Sequence, residues 1–443
     1  MATSFYLVII CLLAGIAVIV LLTTKYRVHA FFALLIACFV TGLGVQLPLA
    51  DVITDIKDGF GNIMKSLGLI IILGTTLGVL LEHTGSTKVM ANFILKKTGD
   101  RYAALAMSLT GFVVGLPVFC DSGYIVLSGL TRPLAKRTGI PVIMIAVSLA
   151  TGLYAVHCLI PPHPGAAAAA GVLNVDFGKL VGIGIITAIP AMLVGHWWAM
   201  FAGKKIKAVA EPEEIIVKEI SEGPSVIKAF LPVVVPVILI AMKSFAATTF
   251  HISNPWALFF LSLGDPVIAL SIGIILSFNA KKKWDKNTIS ILLQESVEKA
   301  GGILVIIGAG GAFGAILAAT KPGEHFSEIA SLGSAGIFFS FLLTFILKTA
   351  QGSSTVAIIT AASIIQPLLP MLGLQSSTNR LLCVLSMGAG SMAISHANDA
   401  YFWVIVKFSG LDMKAVLRVY SVATLLMSLV TLLMVYILSF ILS

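Results

Sequence analysis

The chain has 443 residues, of which 58% are hydrophobic and only 11% charged, with a mean hydropathy of +1.03. Soluble domains carry about 25% charged residues, so the composition excludes a soluble enzyme, a disordered chain and a nucleic-acid binder. It implies an all-α polytopic membrane protein whose formal net charge of +9 reflects where basic residues lie relative to the bilayer.

A crossing helix needs about 20 apolar residues. Runs of that kind lie at 5–23, 29–48, 66–82, 142–158, 179–202, 228–246, 257–279, 301–319, 379–395 and 415–441. The first has no basic residue before it, and Lys25 and Arg27 follow it. A cleavable signal peptide has the reverse charge order, so the run reads as a span with its N-terminus outside. Two apolar stretches, 103–135 and 335–367, are too long for one crossing, and polar centres interrupt them: PVFCDSGY at 117–124 and KTAQGSST at 348–355. Each is expected to form a re-entrant hairpin. The runs that end in HCLIPPHPG (157–165) and SHANDA (395–400) resume as AAAAAGVL and YFWVIVKF, which predicts two broken helices. With this topology 22 of the 29 Lys and Arg residues fall on the inner side, in keeping with the positive-inside rule, and both termini lie outside. The charged segment 203–227 reads as a cytoplasmic linker between the halves 1–202 and 228–443. The five cysteines, Cys11, Cys38, Cys120, Cys158 and Cys383, show neither metal spacing nor a disulfide framework.

The halves resemble each other. Ala33, Leu34 and Ile36 recur as Ala269, Leu270 and Ile272, and Gly74, Gly78, Leu81 and Thr84 recur at the same offset as Gly310, Gly314, Leu317 and Thr320. Ser148, Gly152 and Ala155 match Ser386, Gly390 and Ala393 at nearly that offset. With five crossings each, an odd number, the halves are expected to be inverted repeats. Each would carry a re-entrant hairpin and a broken helix, an organisation found in secondary transporters with midplane substrate sites. Non-helical backbone inside a bilayer must be buried in protein or face a water-filled cavity, so the interruptions are expected to converge on one site.

Helix N-termini at such breaks favour a carboxylate. The hydroxyls and amides of Ser122, Gln351, Ser353, Ser354, Thr355 and Asn398 suit a hydroxylated ligand. Ionisable side chains at membrane depth are costly and usually functional: Asp121 sits at the first hairpin tip, Asp399 in the second helix break, and His157, His163 and His396 in the two breaks. Asp121 with one of these histidines is the expected proton-linked pair. Asp399 also suits capping of the following helix through Tyr401 or Phe402, and each histidine also suits satisfying a carbonyl. Lys348 has two readings, attraction of an anion or pairing with an acid. Pro161, Pro162 and Pro164 remove donors and hold their break open. Glu82 and Asp265, at span ends, read as interfacial. GAGGAFG at 308–314 lacks the strand–turn–helix context of a phosphate loop and reads as a site of close helix packing. An intramembrane hydrolase would need a nucleophile with an oriented base, and no GxSxG or metal-spaced histidine motif supplies one; a channel is the remaining alternative class.

GLPVFCDSGY at 115–124, HCLIPPHPG at 157–165, QGSSTVA at 351–357 and SHANDAYFWVIVKFSG at 395–410 together resemble the gluconate permease family of proton symporters, from the first span to the last. The resemblance implies proton-coupled uptake of gluconate or a related sugar acid across a bacterial inner membrane. It also implies membership of a larger ion-transporter group in which a hairpin-bearing core makes an elevator movement against a dimeric scaffold, hence a homodimer. Sodium-coupled symport of an organic anion, and carriage of glycerate or D-serine, are the alternatives. Asp121 stands at the family's acidic hairpin tip, His396, Asn398 and Asp399 in its SH-ND block, and Pro161, Pro162 and Pro164 in its PP-P break. Cys120 and Ser122 replace bulkier apolar neighbours common in gluconate carriers, and Ala166 stands where many members have proline, which leaves room for a smaller acid. The expected substrate and coupling residues are Asp121, Ser122, Gly123, His157, Pro161, His163, Gln351, Gly352, Ser353, Ser354, Thr355, His396, Asn398 and Asp399. No catalytic residue, metal or organic cofactor is expected; the proton is the coupling ion, with sodium as its alternative.

Overall fold

The computed structural model describes residues 5–204, 206, 223–249, 254–281, 283–320, 334–396 and 399–442, and every regular element among them is helical. The first part of the chain forms α1 (Phe5–Thr24), α2 (Ala30–Gly44), α3 (Leu49–His83), α4 (Ser86–Thr98), α5 (Ala103–Gly115), α6 (Cys120–Ser128), α7 (Thr131–Thr138), α8 (Val142–Leu159), α9 (Pro164–Val172) and α10 (Phe177–Gly203). The second forms α11 (Val226–Thr249), α12 (Pro255–Ser262), α13 (Pro266–Phe278), α14 (Lys286–Ala319), α15 (Ser334–Gln351), α16 (Ser354–Ile365), α17 (Ser377–Met392), α18 (Ala400–Ser409) and α19 (Met413–Val416). A π-helical turn at Leu417–Ser421 then leads into α20 (Val422–Ile441). The linker 203–227 falls almost wholly outside the described residues.

Among the described residues five helical stretches are long and apolar enough to cross a membrane, and a sixth is added if the two limbs of α3, bent by 46°, form one span. Two spans differ in length from the sequence reading. The first limb of α3, Leu49–Lys65, carries Asp51, Asp55, Lys57 and Asp58 and extends the expected 66–82 run backwards. Likewise α14 starts well before 301, because the Asp285 carboxylate accepts from the Thr288 amide at 3.0 Å and caps the helix. The run 257–279, expected as one span, is two helices. Pro266 opens α13, and Asp265 caps it by accepting from the Val267 amide at 3.0 Å while pairing with Lys243 at 3.1 Å.

The long helices α3 and α14 pack antiparallel: Gly59 meets Gly311, and Leu80 meets Leu292. A Cβ on Gly59 would stand 2.5 Å from the Gly311 carbonyl oxygen, while Gly314 faces Ser363 of α16. The glycines of 308–314 therefore serve close packing, the mode by which helices associate in lipid without a hydrophobic driving force.

Burial separates an interior from a lipid-facing shell. An 18-residue apolar window within Val142–Val172 is 94% buried, against 22% for Val226–Lys243. A helix apolar all round and buried all round sits at the centre, which identifies α8 as the axis of the molecule. Around it the contacts are reciprocal: α9 packs on α16, α6 packs on α18, and α8 packs on α17.

Candidate functional site

Helix α5 stops at Gly115; Pro117 supplies no amide, and Phe119 is extended (φ −59°, ψ 143°) before α6 begins. Asp121 falls in the first turn of α6, where partial positive charge favours a carboxylate. Among the described residues its hydrogen-bonding neighbour is the Cys120 thiol, at 3.8 Å. Ser122, next along, bonds to Glu82 at the end of α3, which also feels the charges of Lys299 and Glu295. Glu82 is thus more than the interfacial residue its position suggested: it reaches the first turn of α6. Gly123 lies against Leu153 of α8; a Cβ there would stand 2.9 Å from Leu153 Cδ2.

Helix α8 ends at Leu159, Ile160 is extended (φ −121°, ψ 126°), and Pro164 opens α9 after Pro161, Pro162 and His163. His163 Nε2 donates to the Gly115 carbonyl at 2.5 Å, tying this break to the end of α5. The His157 and His163 rings are 4.9 Å apart, and His157 also stacks on Tyr154 at 6.3 Å. His157 Nε2 reaches Thr355 Oγ1 at 3.5 Å. Pro161 and Pro162 line an apolar cavity with Leu116, Pro117, Val233 and Pro236; the polar chemistry lies at the breaks rather than in this cavity.

At the break in 348–355 Gly352 takes the left-handed conformation (φ +83°), open to glycine without a Cβ penalty, and ends α15. Ser353 then caps α16, accepting from the Val356 amide at 3.3 Å. The fully buried Lys348 Nζ donates to the Gly352 carbonyl and to Asp399 Oδ2, the latter at 2.6 Å. Ser395 Oγ donates to the same Asp399 Oδ2 at 2.5 Å, and Asp399 Oδ1 accepts from the Tyr401 amide at 3.0 Å. Asp399 therefore does both things its sequence context allowed: it caps α18 and it pairs with a cation. The backbone of this break is tied to the last helix by Ser395 N donating to Thr424 Oγ1 at 3.0 Å and by Ser421 Oγ donating to Ser395 O. His396 is half-buried, and its carbonyl accepts from the Asp399 amide at 2.8 Å. Asn398 lies outside the described residues. Both side-chain polar atoms of Gln351 are buried without a hydrogen-bond partner among the described residues.

The four interruptions meet. Gly165, at the start of α9, lies so close to α16 that a Cβ on it would stand 3.3 Å from Thr355 Cα. Cys158 lies against Ser354 and Ser391. Tyr124 of α6 shares a 2.7 Å hydrogen bond with Ser409 at the end of α18. Tyr401 and Tyr154 brace the centre, donating to the carbonyls of Ala150 and Ser391, each at 3.2 Å. The charges that act on Asp121 are Asp399 and Lys348. Helices α6, α9, α16 and α18 thus all begin at these breaks, around the Asp121 carboxylate and the neutralised Lys348–Asp399 pair. Sequence reasoning left Lys348 undecided and passed over Ser395; a lysine inside an apolar run was the signal available for the first.

The GntP family permease model matches residues 7–441. The chain is 32% identical to a gluconate permease of Pseudomonas aeruginosa, covering 100% of this chain and 99% of that protein. It is 28% identical to a D-serine transporter of Escherichia coli K12, covering 98% of each. Among solved structures it resembles the YdaH transporter of Alcanivorax borkumensis with a TM-score of 0.63 over 88% of this chain and 89% of that one, at 14% identity, a likeness of fold.

Proposed function

The chain belongs to the GntP family of permeases, membrane proteins that are not enzymes, and from that premise we propose a secondary active transporter that carries a small hydroxy-carboxylate, gluconate or a related sugar acid, together with a proton. The observation that carries this reading is the meeting of four helix N-termini around Asp121 and the Lys348–Asp399 pair. Each N-terminus presents roughly half a positive charge and free amides, together enough to receive a carboxylate. Gln351, Ser354 and Thr355 stand beside them as donors to substrate hydroxyls, and Ser122, Gly123, Pro161, Gly352, Ser353 and His396 frame the same site; Asn398, outside the described residues, joins this proposal from its sequence context alone.

Charge bookkeeping supplies the reason for a proton. Lys348 cancels Asp399, which leaves Asp121 as the net negative charge. Bringing a second carboxylate to about 4 Å from it costs about 4 kcal/mol at an effective dielectric of about 20, and protonating Asp121 removes that cost. His157 and His163, in ring contact with each other, are the histidines of this scheme. No organic cofactor enters this scheme, and sodium is the coupling ion of the alternative.

In this reading residues 1–202 and 228–443 are inverted repeats joined by 203–227, with five crossings each and both termini outside the bacterial inner membrane. The reciprocal packing of α9 on α16 and α6 on α18 supports a twofold relation, and an odd number of crossings turns that into inversion. A homodimer with an elevator movement of α5–α9 and α15–α18 against the α3–α14 frame completes it. The 28% identical D-serine transporter, with the polar first hairpin tip, favours a second reading in which the cargo is a smaller acid.

Purified protein in proteoliposomes, offered labelled gluconate, glycerate and D-serine under separately imposed proton and sodium gradients, tests this. Accumulation under an inward proton gradient, collapsed by a protonophore, is expected. Accumulation that follows only the sodium gradient would replace the proton reading with its alternative.

A further inference from the structure

We propose that the Lys348 ammonium is a built-in cation: it occupies an oxygen-lined position, between the end of α15 and the α18 break, that would otherwise take a small monovalent metal ion, and so frees the carrier from sodium.

The donor set is what a hard cation takes. A backbone carbonyl faces inward at the left-handed Gly352, a carboxylate oxygen comes from Asp399, and the Ser395 hydroxyl sits on that same oxygen. Carbonyl ends of interrupted helices and an unwound backbone are the places where membrane carriers coordinate sodium. Here the position is filled by Nζ, carried there from one turn back on α15, and the lysine is fully buried. Its bonds to Gly352 O and Asp399 Oδ2 are internal, so the charge is spent on holding hairpin and break together. This separates Lys348 from the anion-attracting role that a cation beside a carboxylate site suggests. An ammonium that is part of the protein cannot be driven by an ion gradient, which leaves the proton on Asp121 as the mobile charge. The inference thus deepens the proton reading above.

Lys348→Ala leaves the oxygens and the Asp399 charge in place without a cation. Expected is a fall in uptake on the order of 100-fold in choline medium, restored at least in part by sodium, lithium or methylammonium. Thermal unfolding in detergent should show a sodium-dependent rise in midpoint for Lys348→Ala but none for the wild type. Lys348→Ala/Asp399→Asn, which lacks the carboxylate, should show no cation response. The unfolding measurement needs no substrate, so it stands or falls apart from the transport reading. Wild-type stabilisation by sodium would overturn the inference, and so would a folded Lys348→Ala protein whose midpoint ignores all three cations. Wild-type uptake driven by a sodium gradient would overturn the proton reading and, with it, the claim that the lysine frees the carrier from sodium.

Discussion

The tips of the breaks at 117–124 and 348–355 are wired differently. At the second, Lys348, Gly352, Ser395, Asp399 and the Tyr401 amide form a closed set in which the cation and the carboxylate are both engaged. At the first, Asp121 has the Cys120 thiol at 3.8 Å, and the strong bond nearby runs from His163 to the Gly115 carbonyl. A buried charge that is paired holds a structure; one left under-partnered is free to exchange a proton or meet a ligand. The comparison teaches that one tip is built as a clasp and the other as a receiver.

Breaking the clasp should have the largest effect. Lys348→Met strands the Asp399 carboxylate, at a cost of about 3–5 kcal/mol, seen as a large drop in the thermal midpoint of detergent-purified protein. Lys348→Met/Asp399→Asn should recover much of that loss; equal damage in the double variant would show that the pair is not the clasp. Next come Gly152→Val and Gly390→Val, at matched positions where a Cβ would run into the carbonyls of Ser108 and Phe341. Overpacking costs about 1–3 kcal/mol, and the two losses should be alike, as the proposed repeat requires. His163→Ala removes the bond to Gly115 and leaves that carbonyl unpartnered, for about 1–3 kcal/mol, and should loosen the first tip against protease without touching the second. Asp121→Asn should change stability least, by about 0.5 kcal/mol or less, while abolishing proton-driven accumulation and sparing substrate exchange, read by counterflow in proteoliposomes. Full uphill uptake in that variant would end the receiver reading.

Much of this was legible in the chain. The interruptions at 117–124, 157–165, 348–355 and 395–400 were visible because clusters of polar, proline and glycine residues inside apolar runs break helices and need burial or a cavity at membrane depth, and helices do end at Gly115, Leu159, Gln351 and Met392. The backward extensions of α3 and α14 were harder, because a charged helical segment looks like a loop to a hydropathy count. The division of 257–279 at Asp265 was missed for the opposite reason: a cap and a proline inside a strongly apolar stretch barely lower its average.

The sequence by itself determined the membrane setting, the helical class, the interruptions and the residue types gathered at them, since each follows from local composition and from the cost of exposing backbone or charge to lipid. Only the tertiary structure decided the partners. Lys348 and Asp399 are brought to 2.6 Å, His163 reaches back to Gly115 and Ser122 meets Glu82, because pairings between distant helices depend on how their small-residue faces pack, which no local pattern encodes.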